Sequence, residues 1–251
     1  MNKFIVTLIT LAILPCAWAA PQGADREIGR RVWMNECAGS VQGLVSWNAG
    51  ENFPSLGIGH FIWYPAGQRG PFDESFPKFI AYAASQGVPV PPFFRGPAPW
   101  RSRAAFAADR SGLSNNMRRW LADHLDVQCS YLLARLQAAL PAMLRSARRP
   151  AEVKAWYDAL MRDRQGRYCL IDYVNFKGDG TKPGERYNGH GWGLLQVLEE
   201  MRGVPGRTNA AAEFARAADA VLRRRVNNAP PSRNESRWLK GWLNRCRTYA
   251  P

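Results

Sequence analysis

The stretch Glu51-Asn52-Phe53-Pro54-Ser55-Leu56-Gly57-Ile58-Gly59-His60-Phe61-Ile62-Trp63 sets two glycines around one isoleucine and ends that turn on a histidine, with aromatic residues on both sides. Glycine adopts positive φ and lets backbones approach closely, so Gly57 and Gly59 read as a tight turn between short strands. Residues 44–64 are glycine-punctuated and rich in Trp, Phe and Ile, which predicts a small β-hairpin or a three-stranded sheet. The same residues would also serve as the floor of a cleft, and the remainder of the chain has to decide between the two uses.

Around this stretch the pattern is helical. Ile28, Val32 and Glu36 lie near one face of a first helix that Gly39 would stop. Apolar stripes follow at Met117, Trp120, Leu121 and Leu125, and at Leu132, Leu133, Leu136 and Leu140, after which Pro141 is expected to bend or break the helix. Val153, Trp156, Tyr157 and Leu160 repeat the pattern, as do Phe214, Ala217, Ala218, Val221 and Leu222. Ser232 and Glu235 have the spacing of a capping box before Trp238, Leu239, Trp242 and Leu243, which read as another core-facing stripe. Residues 65–101 are rich in Pro, Gly and aromatics and read as an irregular excursion with one short helix around Ser75 to Ala84. The expectation is a mainly α domain of the α+β kind, with one small antiparallel β-sheet, spanning residues 20–251 without an internal boundary.

The first residues indicate a compartment. One cation at Lys3, a nearly continuous apolar run from Phe4 to Leu14 and small residues at Ala17-Trp18-Ala19 read as a secretory leader over residues 1–19, cut after Ala19 or Ala20. The run is shorter than the roughly 20 residues that span a bilayer, and Pro15 fits poorly with a lipoprotein signal ending at Cys16. The mature chain is therefore expected to be periplasmic or secreted, with no transmembrane segment. It would keep Cys37, Cys129, Cys169 and Cys246, enough for up to two disulfides in any of three pairings. The wide cysteine spacing and the scattered histidines argue against a metal site, and no cofactor motif is present. The chain carries a formal charge of +14, with 28 Arg against 6 Lys. In an exported protein this points to anionic envelope polymers or lipid head groups and away from nucleic acid, unless the charge is only spread over solvated helix faces.

Glu36 is the first candidate for chemistry. A carboxylate at the C-terminal end of a helix meets the negative end of the dipole, which disfavours its charge and holds its proton more tightly. That is the disposition of a general acid of the kind that protonates a glycosidic leaving oxygen. The plainer alternative is a surface glutamate paired with Arg30 or Arg31.

The order Glu36, Trp47-Asn48, Ser55 and Gly57-Ile58-Gly59-His60 resembles the opening of phage-type, T4-like lysozymes. Those enzymes carry a catalytic Glu at a helix end, a hairpin with a catalytic Asp, and a Thr shortly before a Gly-Ile-Gly-His turn. The resemblance implies that Glu36 is the acid, with Ser55 where the Thr is found. Leu170-Ile171-Asp172-Tyr173-Val174-Asn175-Phe176-Lys177-Gly178 resembles the family helix ending in a Phe-Asn-x-Gly type motif, with Asn and Phe transposed. These matches cover some fifty residues. They imply a lysozyme-like fold, cleavage of the β-1,4-linked amino-sugar backbone of peptidoglycan or a related polymer, and no cofactor. One departure bears on mechanism: no Asp occurs between Glu36 and His60. Asn48 stands nearest in position, and an amide does not accept a proton as a carboxylate does. Either Glu51 supplies the second carboxylate, or Glu36 acts alone as acid and then base, as in lytic transglycosylases.

The segment Glu185-Arg186-Tyr187-Asn188-Gly189-His190-Gly191-Trp192 is similar to a Tyr-Asn-x-Gly cleft motif of several lytic transglycosylases, off by one residue. Tyr187 and Trp192 are candidates for stacking on sugar rings, and Asn188 for binding hydroxyls or acetamides. His190 is a candidate substrate contact, and His60 an orienting group in the site. The plain reading is a glycine-rich loop before a helix from Trp192 to Met201. His124 is expected to be solvated. Against the enzyme stands a non-catalytic glycan-binding or envelope interaction protein on the same fold, with the missing Asp as its support.

Overall fold

Each apolar stripe of the sequence becomes the buried face of one helix. A computed structural model of the chain describes residues 24–70 and 72–251, so the expected leader lies outside the described residues. Helix α1 (Ala24–Cys37) buries Ile28 and Val32 and ends where Ala38 and Gly39 turn to positive φ. Helix α4 (Leu113–Asp123) buries Met117, Trp120 and Leu121, and α5 (Leu125–Ser146) buries Leu132, Leu133 and Leu136. The two are separated at His124, which is half-buried rather than solvated: its ring stacks on Trp120 at 4.4 Å, and Nδ1 lies 2.7 Å from the Trp120 carbonyl. Pro141 does not end α5, which continues five residues beyond it to Ser146.

Helices α6 (Pro150–Met161) and α7 (Arg164–Lys177) pack on one another and are joined at Asp163, whose carboxylate accepts from the Gly166 N–H at 2.7 Å as the N-cap of α7. After α7 come a two-stranded hairpin, β4 (Arg186–Tyr187) and β5 (His190–Gly191), and then α8 (Leu194–Glu200). The glycine-rich loop is therefore partly paired, and the helix begins at Leu194 rather than Trp192. Helices α9 (Ala210–Asn228) and α10 (Ser236–Arg247) pack on one another and complete the helical part. The capping box expected at Ser232 and Glu235 is not formed. Glu235 is buried and accepts from Arg225 and Tyr187 instead.

The opening stretch forms the smaller part. Strands β1 (Val45–Ser46), β2 (Ser55–Leu56) and β3 (Phe61–Ile62) make one antiparallel sheet, with Ser55 opposite both Ser46 and Ile62. The excursion contributes α2 (Phe76–Ser85), and the six-residue α3 (Arg103–Ala108) follows it. The excursion's Phe76, Phe79 and Phe94 are core material: Phe76 and Phe94 pack on one another and on Trp63, and Phe79 stacks on Phe61 at 4.9 Å. The protein is thus mainly α with two small antiparallel sheets. One continuous core runs from Ile28 to Tyr249. Among the described residues no helix is long and apolar enough to cross a membrane.

The turn after β2 is tied down by a buried side chain. Gly57 has φ +70°, and a Cβ there would run into the Gln128 amide. That amide accepts from the Ile58 N–H at 3.0 Å and donates to the carbonyls of Leu121 and His124 at 2.6 and 3.0 Å. At Gly59 a Cβ would strike the Phe61 ring. Each glycine leaves room for a particular neighbour, and the turn delivers His60 at φ 45°.

Candidate active site

Four elements converge on Glu36. It lies in the last turn of α1 with a side chain 14% exposed. Oε1 accepts from Arg245 Nη2 of α10 at 2.5 Å and from Asn175 Nδ2 of α7 at 3.2 Å. Oε2 faces the sheet turn, where His60 Nδ1 stands 3.7 Å away, beyond hydrogen-bond length. One oxygen is pinned and the other is open to a third party. Arg30 and Arg31, the cations that the sequence offered for a surface pair, do not take this role: Arg31 lies over the Tyr168 ring and bonds Gln165 and the Thr248 carbonyl.

Arg245 is held from behind. Its guanidinium makes a two-pronged contact with Asp172, Nε to Oδ2 at 2.7 Å and Nη2 to Oδ1 at 2.8 Å, and its Cζ sits 4.2 Å from the Phe176 ring centroid. Asp172 is fully buried and also accepts from Tyr249 Oη at 2.6 Å and Asn35 Nδ2 at 3.1 Å. Two carboxylates share one cation, so protonating Glu36 leaves a neutral, fully hydrogen-bonded Asp172–Arg245 pair. The paired acids raise the affinity of Arg245 for its proton, although burial pulls the other way.

Cys37 completes a row with His60 and Glu36, its Sγ lying 3.5 Å from His60 Nε2. Thiol, imidazole and carboxylate in that order have the outline of a nucleophile relay. Burial, aided by the negative charge of Glu36, pushes the Cys37 thiol up to about 12, so the thiolate that such chemistry needs is scarce at neutral pH. Among the described residues no disulfide joins the four cysteines. They sit on four different helices, α1, α5, α7 and α10, with Cys37 turned to His60 and Cys169 to the Tyr249 carbonyl at 3.5 Å. The disulfides read from composition are therefore absent from this structure.

Asn175 also lines a cavity of about 370 Å³ between the two parts of the molecule, bounded by Asp73 and Lys78 on one side, Tyr131 and Arg135 of α5, and Asp179 and Glu185 beyond α7. One oxygen of Glu185 is buried without a hydrogen-bond partner among the described residues, and burial raises its pKa. A larger cavity, about 730 Å³, lies within the excursion between Tyr64 and Pro97 and includes none of the candidate residues.

The other sequence candidates fall into three places. Asn48 and Glu51 sit together at the tip of the β1–β2 turn, where Asn48 Nδ2 donates to Glu51 Oε2 at 3.2 Å, and Ser55 is buried in β2. Tyr187 and Trp192 pack against α9: Tyr187 donates to Glu235 at 2.9 Å, and Arg225 lies 4.0 Å from the Trp192 ring centroid. Asn188 donates to Asn228, and His190 lines a separate cavity of about 320 Å³ with Arg148, Arg186 and Arg224. Sequence reading missed Arg245, although Asp172 inside the apolar run Leu170 to Tyr173 is the signal of a buried, paired charge. No protein-family model matches the chain, and no curated protein and no solved structure matches it.

Proposed function

We propose that this chain is an exported glycan-cleaving enzyme on a lysozyme-like scaffold, periplasmic or secreted, which acts on the β-1,4-linked amino-sugar backbone of peptidoglycan with Glu36 as general acid. The observation that carries this reading is the divided carboxylate, with Oε1 fixed by Arg245 and Asn175 and Oε2 beside His60 without a hydrogen bond among the described residues. A proton on Oε2 passes to the glycosidic oxygen as that oxygen takes the electron pair of its bond to C1. Arg245, already placed on Oε1, meets the carboxylate charge that the transfer leaves behind, without reorganisation. The electron-poor C1 is then captured by water, whose proton passes to Glu51, giving a reducing end. In the transglycosylase variant it is captured by a hydroxyl of the same sugar, whose proton returns to Glu36. Glu51 is the carboxylate on the sheet side for the first route, and the second route requires none.

Binding without turnover is the second reading, and the engagement of Glu51 with Asn48 favours it. Digestion of purified peptidoglycan by the mature protein and by Glu36→Gln, with products read by mass spectrometry, separates the two. Reducing or anhydro-sugar ends released by wild type and absent with Glu36→Gln are the expected result. Intact polymer from both proteins between pH 4.5 and 8 would leave the binding module standing.

A further inference from the structure

On α10 the residues Trp238, Trp242 and Arg245 recur at intervals of four and three, so they lie along one face about 10 Å long. Arg245 reaches Glu36. Trp242 is half-buried, with Lys177 Nζ 3.5 Å from its ring centroid and Phe176 at its edge. Trp238 continues the line outward at 6.1 Å and 28° from Trp242, and it is 42% exposed. The core-facing role read from the sequence does not hold for it. The Arg237 guanidinium lies over its ring, 4.2 Å from the centroid.

We propose that Trp238 and Trp242, with Arg237, form a binding row for a carboxylate-bearing amino-sugar polymer leading outward from Glu36. This rests on the glycan-cleaving reading of Glu36. Three observations select the ligand. Indole faces present broad apolar surfaces that take the C–H face of a pyranose ring. The row is continuous with the candidate acid through Phe176 and Arg245, so a chain threaded past Glu36 is led over it. Arg237 lies against Trp238, and α10 carries no acidic residue, which complements a glycan bearing carboxylates. On binding, a sugar ring takes the face of Trp238 that Arg237 now occupies, and the displaced guanidinium pairs with a carboxylate of the polymer.

The test uses Glu36→Gln protein to separate binding from cleavage. Glu36→Gln alone, and combined with Trp238→Ala or Trp238→Phe, is pelleted with purified peptidoglycan and with uncharged chitin, while fragment release is followed with wild type and Trp238→Ala. The expected result is binding to peptidoglycan about tenfold weaker with Trp238→Ala, the size of one lost aromatic contact, and largely restored with Trp238→Phe. Undiminished pelleting of the Trp238→Ala protein, or no pelleting of its parent, would overturn the row. Equal affinity for chitin would overturn the part given to Arg237. If wild type cleaves while Trp238→Ala binds and cleaves like it, the row falls and the enzyme stands. If wild type releases nothing while Trp238→Ala loses binding, the row stands and the enzyme falls.

Discussion

Arg245 is the residue on which both stability and the proposed chemistry turn. It is 10% exposed and lies between a fully buried aspartate and the candidate acid. Removing it as Arg245→Met strands Asp172 without a counter-charge, which is expected to cost about 3–5 kcal/mol in denaturant unfolding. Asp172→Asn should cost a comparable amount, and the double variant much less than the sum, because the two share one interaction. Lys177 gives a second prediction, in pH. Burial, aided by the nearby Arg225 and Arg245, lowers its pKa from 10.5 to about 7. Between those values the unfolded chain holds the proton that the folded chain has released, so this residue's contribution to stability rises with pH across that window and is at its least below 7. Replacing it as Lys177→Met is expected to stabilise the protein at pH 6 by on the order of 2 kcal/mol after its ring contacts are discounted, with the gain fading toward pH 10.5. Melting temperatures of both proteins at the two pH values check it. At this scale the sequence was half legible. Glu36 and the odd Asp172 stand out against their neighbours, but Arg245 is one of 28 arginines and lies 209 residues from Glu36, so no local pattern marks it.

Among the elements, the Gly57 to His60 turn is the one whose geometry depends most on a distant helix. Gln128 satisfies the Ile58 N–H and caps two carbonyls at the junction of α4 and α5. Gln128→Leu keeps much of the volume and removes all three bonds, with an expected loss of about 3 kcal/mol from the buried groups left unpaired. Amide hydrogen exchange at Ile58 should quicken with it. The helices were legible because an apolar stripe reports burial directly. Where that reading failed, tertiary contacts had overridden local signals. Pro141 is carried inside α5, Glu235 prefers Arg225 to a cap, and His124 stacks on Trp120 at a helix junction. The strands are two residues each, too short for alternation to show, and only the glycines announced them.

For the whole molecule, the continuous core predicts a single cooperative unfolding transition, with the sheet and α10 melting together in calorimetry and fluorescence alike. The net charge of +14 predicts that association with an anionic polymer slows as salt rises, since the Debye length contracts from about 10 Å at 0.1 M to about 3 Å at 1 M. The sheet turn and α1 are among the first described segments to be synthesised, whereas Arg245 and Tyr249 are among the last. A growing chain can therefore fold its hairpin around Gln128 and still have nothing on Glu36 Oε1 from α10. The candidate acid acquires its counter-ion only when residue 245 has been made and α10 has docked, so its charge waits on a partner 209 residues downstream.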